Sequence, residues 1–286
     1  MKNNIREKII SAWLSNAPIL LATPRNLKIE ISNSLPVFGF ALHACHNIRD
    51  DLVLKLNLNR KQMLKEEDPR TEKLIESLPN QIYPLHSRFE CDLNRPKIGR
   101  PVEDAIYTEP SLAWNLKVYR VPLTQDEIDF SLEAYKEFYW LVDTICQSIE
   151  ERYSFGIFID MHSYNIRGRK DLPDIHLGTK YQSREKFSYE ISCLLGYLKQ
   201  IKIKGDPLVV IENDENVGFF GGKLNRFVAQ KFKKILVISL EMKKFFMDEE
   251  EGIFYEDIFS EFKNQINDVF SLMISDMRRR DKFNRI

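Results

Sequence analysis

No apolar run in this 286-residue chain reaches the ~18 residues that a helical membrane span requires, and the runs near its start are too broken for a signal-peptide core. A cytoplasmic protein that does not enter the bilayer is expected. Cysteine is scarce: Cys45, Cys91, Cys146 and Cys193 are widely spaced with no Cys-x-x-Cys pair, which argues against disulfides and for reduced thiols. Glycine and proline are few (11 and 12), and no biased tract is present, so disordered and fibrous classes are excluded. An excess of either charge is also missing. Forty-two basic residues balance 42 acidic ones, so no global field draws the chain to nucleic acid or to an anionic membrane. The basic run from Arg278 to Arg280 reads as the solvated end of a last helix, where cations suit the helix dipole.

What is present is an ordinary globular composition, 43% apolar, in a chain long enough to bury a large core. Short runs rich in Val, Ile and Phe read as buried strands: Val37 to Leu42, Phe155 to Met161, Leu208 to Ile211 and Ile235 to Leu240. Helical segments alternate with them. Thr124 lies three residues before Glu127, the capping-box spacing, and Ile128, Leu132, Tyr135, Tyr139, Val142, Ile145 and Ile149 follow in steps of three and four. Further helices are expected from about Arg184 to Leu198 and over about 255–278. The pattern predicts an α/β fold, a single domain over 1–286 whose central sheet is covered by helices on both faces.

Three of the predicted strands run into a residue capable of chemistry: the first into His43, the second into His162 and the last into Glu241. Open α/β sheets gather ligand-binding residues at the carboxyl ends of their strands. His43 and His46 form a His-x-x-His pair after the first strand, and His162 supplies a third imidazole from another. Three protein ligands plus water suit a catalytic zinc ion, which lowers the pKa of that water to about 7 and polarises a carbonyl. Glu241 is placed to take the proton from the water and return it to a leaving amine. Cys45, beside His46 in sequence, reads as a packing residue rather than a nucleophile. Asp160, two residues before His162, shares its face in a regular strand, as either a support for the ligand or a buried hydrogen-bonding group.

Two further segments stand out. Ser87 to Pro96 concentrates Arg88, Asn94 and Arg95 with Glu90 and Asp92, which suits either a surface network of ion pairs or a grip on a carboxylate or oxyanion. The stretch Asn216-Val217-Gly218-Phe219-Phe220-Gly221-Gly222 lacks both the P-loop and the dinucleotide-binding spacing, and reads as a turn near a site.

His43-Ala44-Cys45-His46, Ser87 to Pro96, Ile159-Asp160-Met161-His162-Ser163-Tyr164-Asn165 and Glu241 to Asp248 together resemble the N-formylglutamate amidohydrolase family, in particular its branch with a His-x-x-His first motif. The likeness runs in order from about Val37 to Asp248. It implies a central mixed β-sheet flanked by helices, as in the zinc carboxypeptidases and the aspartoacylase group. In carboxypeptidases the first motif is His-x-x-Glu, so His46 stands where relatives place a glutamate. The run Glu66-Glu67-Asp68 is the alternative source of the second ligand. The segment around His162 resembles the one carrying the last zinc ligand. Asn94 and Arg95 correspond to residues that hold a substrate carboxylate, Arg88 to an arginine that polarises the scissile carbonyl, and Glu241 to the general base. Ser163 and Tyr164 would line the pocket, and Asn216, Gly221 and Gly222 resemble a loop near the substrate.

The resemblance implies a one-zinc hydrolase acting on the amide of a small N-acyl amino acid, N-formyl ones included, that carries a free carboxylate. The alternatives are a metallo-carboxypeptidase trimming a peptide C-terminus and, in another class, a binding protein that has kept the fold without catalysis.

Overall fold

Residues 2–96, 104–107, 116–165, 171–215 and 218–286 are described by the computed structural model. The strands are β1 (Ile19–Ala22), β2 (Leu27–Ile31), β3 (Val37–Phe40), β4 (Asn80–Pro84), β5 (Gly156–Tyr164), β6 (Ile175–Gly178), β7 (Lys202–Ile203), β8 (Asp206–Pro207), β9 (Val210–Glu212), β10 (Ile235–Lys243), β11 (Met247–Asp248) and β12 (Ile253–Phe254). The helices are α1 (Lys2–Leu14), α2 (Asp50–Val53), α3 (Arg60–Glu66), α4 (Thr71–Leu74), α5 (Gln125–Arg152), α6 (Ser188–Leu198), α7 (Lys223–Lys231) and α8 (Glu256–Arg279).

One eight-stranded mixed sheet, in the order β1-β2-β4-β3-β5-β10-β6-β9, organises the chain. Its centre, from β4 through β3 and β5 to β10, is parallel. Antiparallel pairings bring β2 against β4 and β6 against β10. Every residue of β5 is buried, as expected of a strand covered on both faces. Side chains alternate between two cores. Ile157, Ile159, Leu236, Ile238 and Leu240 pack under α6 and α8, while Phe38, Phe40, Phe158 and Val237 pack under α1, α5 and α7.

Local chemistry sets the helix boundaries where the sequence signals them. Thr124 accepts from the Glu127 backbone N–H while the Glu127 carboxylate accepts from the Thr124 N–H, so the expected capping box opens α5. Asn59 and Gln62 form the same reciprocal pair at α3. Several expected limits move. β3 stops at Phe40, whereas β5 and β10 continue past His162 and Glu241, because the two strands pair with each other as far as Tyr164 and Lys243. The strand expected at Leu208 starts at Val210, after the β7–β8 ribbon that takes up Asp206 and Pro207. The helix expected from Arg184 begins at Ser188, after a turn closed by the Phe187 N–H on the Ser183 carbonyl. The antiparallel edge strands and α1 have no counterpart in the sequence expectations.

Candidate metal centre

The parallel register of β5 and β10 sets Asp160 beside Ser239 and His162 beside Glu241. Register partners share a face, so the His162 and Glu241 side chains emerge together at one end of the sheet. His43 arrives from the turn after β3, the strand on the other side of β5. Asp68 follows the C-terminus of α3, and its backbone N–H donates to the His43 carbonyl at 2.9 Å.

These segments bring His43, Asp68 and His162 into one buried group whose ligand atoms lie within 4.8 Å of one another. Nδ1 of His43 is 3.1 Å, and Nδ1 of His162 2.9 Å, from the same oxygen, Oδ2 of Asp68. The far nitrogens are backed by carboxylates: Nε2 of His43 lies 2.8 Å from Asp92 Oδ1, and Nε2 of His162 lies 2.9 Å from Asp160 Oδ1. Without an ion both Nδ1 atoms donate to Asp68; with one bound, a proton kept on His43 Nε2 by Asp92 would leave Nδ1 its lone pair, the arrangement by which outer carboxylates orient metal-binding histidines. Two imidazoles and a carboxylate suit a zinc-type ion, and the surrounding acids supply the negative field that a cation requires.

The ionisation of the cluster follows from its crowding. Burial disfavours the charged form of Asp68, yet hydrogen bonds from His162 and His43 hold its carboxyl well below the usual range. Burial likewise opposes a proton on His162, but Asp160, Glu241 and Asp68 outweigh it and raise its pKa. Glu241 is pushed up to about 7, chiefly by burial, with His162 acting in the opposite direction and Asp68 and Asp160 adding to the rise. Its Oε1 accepts from Ser239 Oγ at 3.2 Å.

His46 lies outside this cluster. Its Nδ1 is 2.5 Å from Glu67 Oε2, and Glu67 also accepts from Ser87 Oγ. Residues three apart converge on a helix, but 43–46 is not helical, so the two imidazoles diverge. Arg88 is buried with its guanidinium on Asp92 Oδ2 (Nε 3.1 Å, Nη2 2.7 Å) and on the Glu66 carbonyl (Nη1 3.0 Å). Tyr107 also donates to Asp92 Oδ2. Asp92 therefore links Arg88 to His43.

Asn94 caps α7: its Oδ1 accepts from the Leu224 N–H at 3.1 Å, while Nδ2 lies 3.0 Å from His162 Nε2. A Cβ on Gly222 would come within 2.2 Å of that amide, so only glycine admits the approach, and Gly221 adopts φ +111° beside it. From α7, the Asn225 amide, with nitrogen toward Asp160 Oδ2 and oxygen toward the Ser239 N–H, lies 3.0 Å from each. Arg95 is half-buried, with Nε 3.9 Å from Asp92 Oδ2. Ser163 Oγ reaches Asp68 Oδ1 at 3.4 Å, and Tyr164 donates to the Pro173 carbonyl and packs against Phe219. Asn216 lies outside the described residues. Burial pushes the Cys45 thiol up, away from thiolate chemistry.

A family model described as N-formylglutamate amidohydrolase matches residues 35–246. Among solved structures, an N-formylglutamate amidohydrolase from Ralstonia eutropha JMP134 is 15% identical with a TM-score of 0.70, over 89% of this chain and 99% of that one. A gene product from Agrobacterium tumefaciens is 17% identical with a TM-score of 0.60, over 89% and 95%. A metallo-carboxypeptidase from Burkholderia cenocepacia gives a TM-score of 0.44 at 12% identity, over 95% and 70%. No curated protein matches the sequence significantly.

Proposed function

The chain belongs to the N-formylglutamate amidohydrolase family, and from that premise we propose that it is a zinc-dependent hydrolase of a small N-acyl amino acid bearing a free carboxylate. The observation that carries this reading is the convergence of two Nδ1 atoms on one Asp68 oxygen, with Glu241 in register beside His162. His43, Asp68 and His162 are the ligands in this reading, with Asp68 in the role that spacing alone assigned to His46. A zinc ion held there supplies a water of lowered pKa and polarises the scissile carbonyl.

The chain's own groups account for the rest. Glu241 takes the proton of the attacking water and delivers it to the departing nitrogen, so that a carboxylic acid and a free amine leave. Asp92 and Asp160 orient the two imidazoles. Arg88 acts through Asp92, since its donors are committed to that carboxylate and to the Glu66 carbonyl. Asn94 sets the distance between α7 and His162. Arg95, at the rim, is assigned the substrate carboxylate, a salt link whose planar geometry suits a guanidinium.

The test combines metal analysis with a substrate panel of formyl, acetyl and succinyl amino acids beside short peptides. One zinc per chain is expected, lost in Asp68→Ala and retained in His46→Ala, with turnover of at least one acyl amino acid. Turnover confined to peptides would replace this reading with a carboxypeptidase. Tight binding without turnover would replace it with a binding protein.

A further inference from the structure

The chemistry above leaves two buried histidines, His86 and His176, without a task, and His176 is the one that stands beside Glu241. His176 on β6 is completely buried and stands opposite Glu241 in the antiparallel pairing of β6 with β10. Opposed residues in such a pair project from the same face, with Cβ atoms about 4.5–5.5 Å apart. Since His162 opposes Glu241 from the other side, His162, Glu241 and His176 form one row across three adjacent strands.

The position of the His176 proton follows from its neighbours. The Asp214 backbone N–H donates to Nε2 at 2.8 Å, and a backbone amide cannot accept in return, so Nε2 carries the lone pair. Burial pushes the pKa of the imidazole down, so the ring is neutral near pH 7 and its proton sits on Nδ1. That Nδ1 is buried and has no hydrogen-bond partner among the described residues. An unmet buried donor costs roughly 1–3 kcal/mol, and such groups call for a functional explanation. Phe219 packs against the ring in a T-shaped contact, with centroids 5.8 Å apart. Across the strand pair lies the Glu241 carboxylate, tethered by a long contact to Ser239.

We propose that His176 is a positioning residue for the general base: rotation of the Glu241 side chain from Ser239 toward β6 lets the His176 Nδ1–H hold the carboxylate while it works on the water. The assignment rests on the hydrolase reading of the site. No proton leaves His176, which serves only as a fixed donor.

Two substitutions separate this role from a structural one. His176→Asn keeps a donor near the Nδ1 position and loses the acceptor for Asp214. His176→Gln keeps an acceptor near Nε2 and loses the donor. In zinc-loaded protein, His176→Gln is expected to lower kcat about tenfold or more with KM little changed, whereas His176→Asn stays near the parent enzyme. The opposite order would assign the ring to the Asp214 loop and overturn the proposal. A second readout needs no activity: imidazole nitrogen NMR of metal-free protein should find Nδ1 protonated and its resonance displaced in Glu241→Ala. A resonance unmoved by that substitution would also overturn it. If the parent enzyme turned over nothing, the hydrolase reading would fail, while the NMR comparison would still decide the His176–Glu241 contact.

Discussion

The two nitrogens of His43 do different work: Nδ1 faces Asp68 and Nε2 faces Asp92, itself held by Arg88 and Tyr107. His162 Nδ1 likewise faces Asp68, while its Nε2 lies between Asp160 and the Asn94 amide. Glu241, the proposed base, is the residue at which the proposed function and stability would conflict. Its carboxyl is lifted from 4.5 to about 7, which corresponds to about 3 kcal/mol for ionising it in the fold. Because the folded pKa is the higher one, that cost is absent below about pH 4.5 and complete above about pH 7. In metal-free protein, Glu241→Gln should therefore leave Tm almost unchanged at pH 4 and raise it at pH 8. The same substitution should lower kcat by roughly 10²–10⁴ in the loaded enzyme. Thermal scans at the two pH values check the first outcome, and an equal effect at both would refute the buried-acid account. The rate of the parent enzyme should rise with pH on its acid side, since the base acts deprotonated, and that rise should vanish in Glu241→Gln.

At the scale of elements, the C-terminus of α3 decides where Asp68 points. The last carbonyls of a helix lack intrahelical partners, and two buried cations take two of them here. Lys244 donates to the Lys65 carbonyl at 2.5 Å and to Asn165 Oδ1 at 2.8 Å, while Arg88 takes the Glu66 carbonyl. Burial lowers the Lys244 ammonium to about 8, with Asp68 and Glu66 opposing the fall. Lys244 follows the strand that carries Glu241, so one side chain ties the base-bearing strand to the segment that delivers Asp68. Lys244→Met is expected to weaken zinc binding about tenfold, comparable to losing an outer partner of a metal ligand. Competition against a chromogenic chelator measures this. A folded variant with unchanged affinity would show that the clamp is irrelevant to the centre.

Across the whole molecule, the centre is a crossing point of three segments remote in sequence: the turn after β3, the segment after α3 and β5. A bound ion ties them together only in the folded state, so it stabilises that state by mass action, by about 2.7 kcal/mol at a free metal concentration one hundred times Kd. Chelation should accordingly lower Tm, and Asp68→Ala should abolish the response. A parent protein whose melting is indifferent to chelator would argue against an ion at this crossing. Helices α5 and α7 on one face and α6 and α8 on the other cover the sheet, and α7 reaches the centre through its Asn225 and through Asn94, which caps it.

The sequence by itself determined what depends on short-range pattern. The capping box of α5, the buried strands β5 and β10 and the Asp160-x-His162 alternation all follow from local spacing. His43, His162 and Glu241 stood out because each follows an apolar run. What only the tertiary structure decided is which groups meet. Spacing favoured His46, but the turn at 43–46 is not helical and sends it to Glu67, while Asp68, one of three neighbouring acids, is the one α3 delivers. Arg88 and Asn94 were legible as polar groups of the right kind. Their commitments to Asp92 and to the start of α7 were not, because both depend on partners brought close by the fold. His176 gave no signal at all in sequence. Its place beside Glu241 comes from the strand order β5-β10-β6, a property of the sheet rather than of any stretch of the chain.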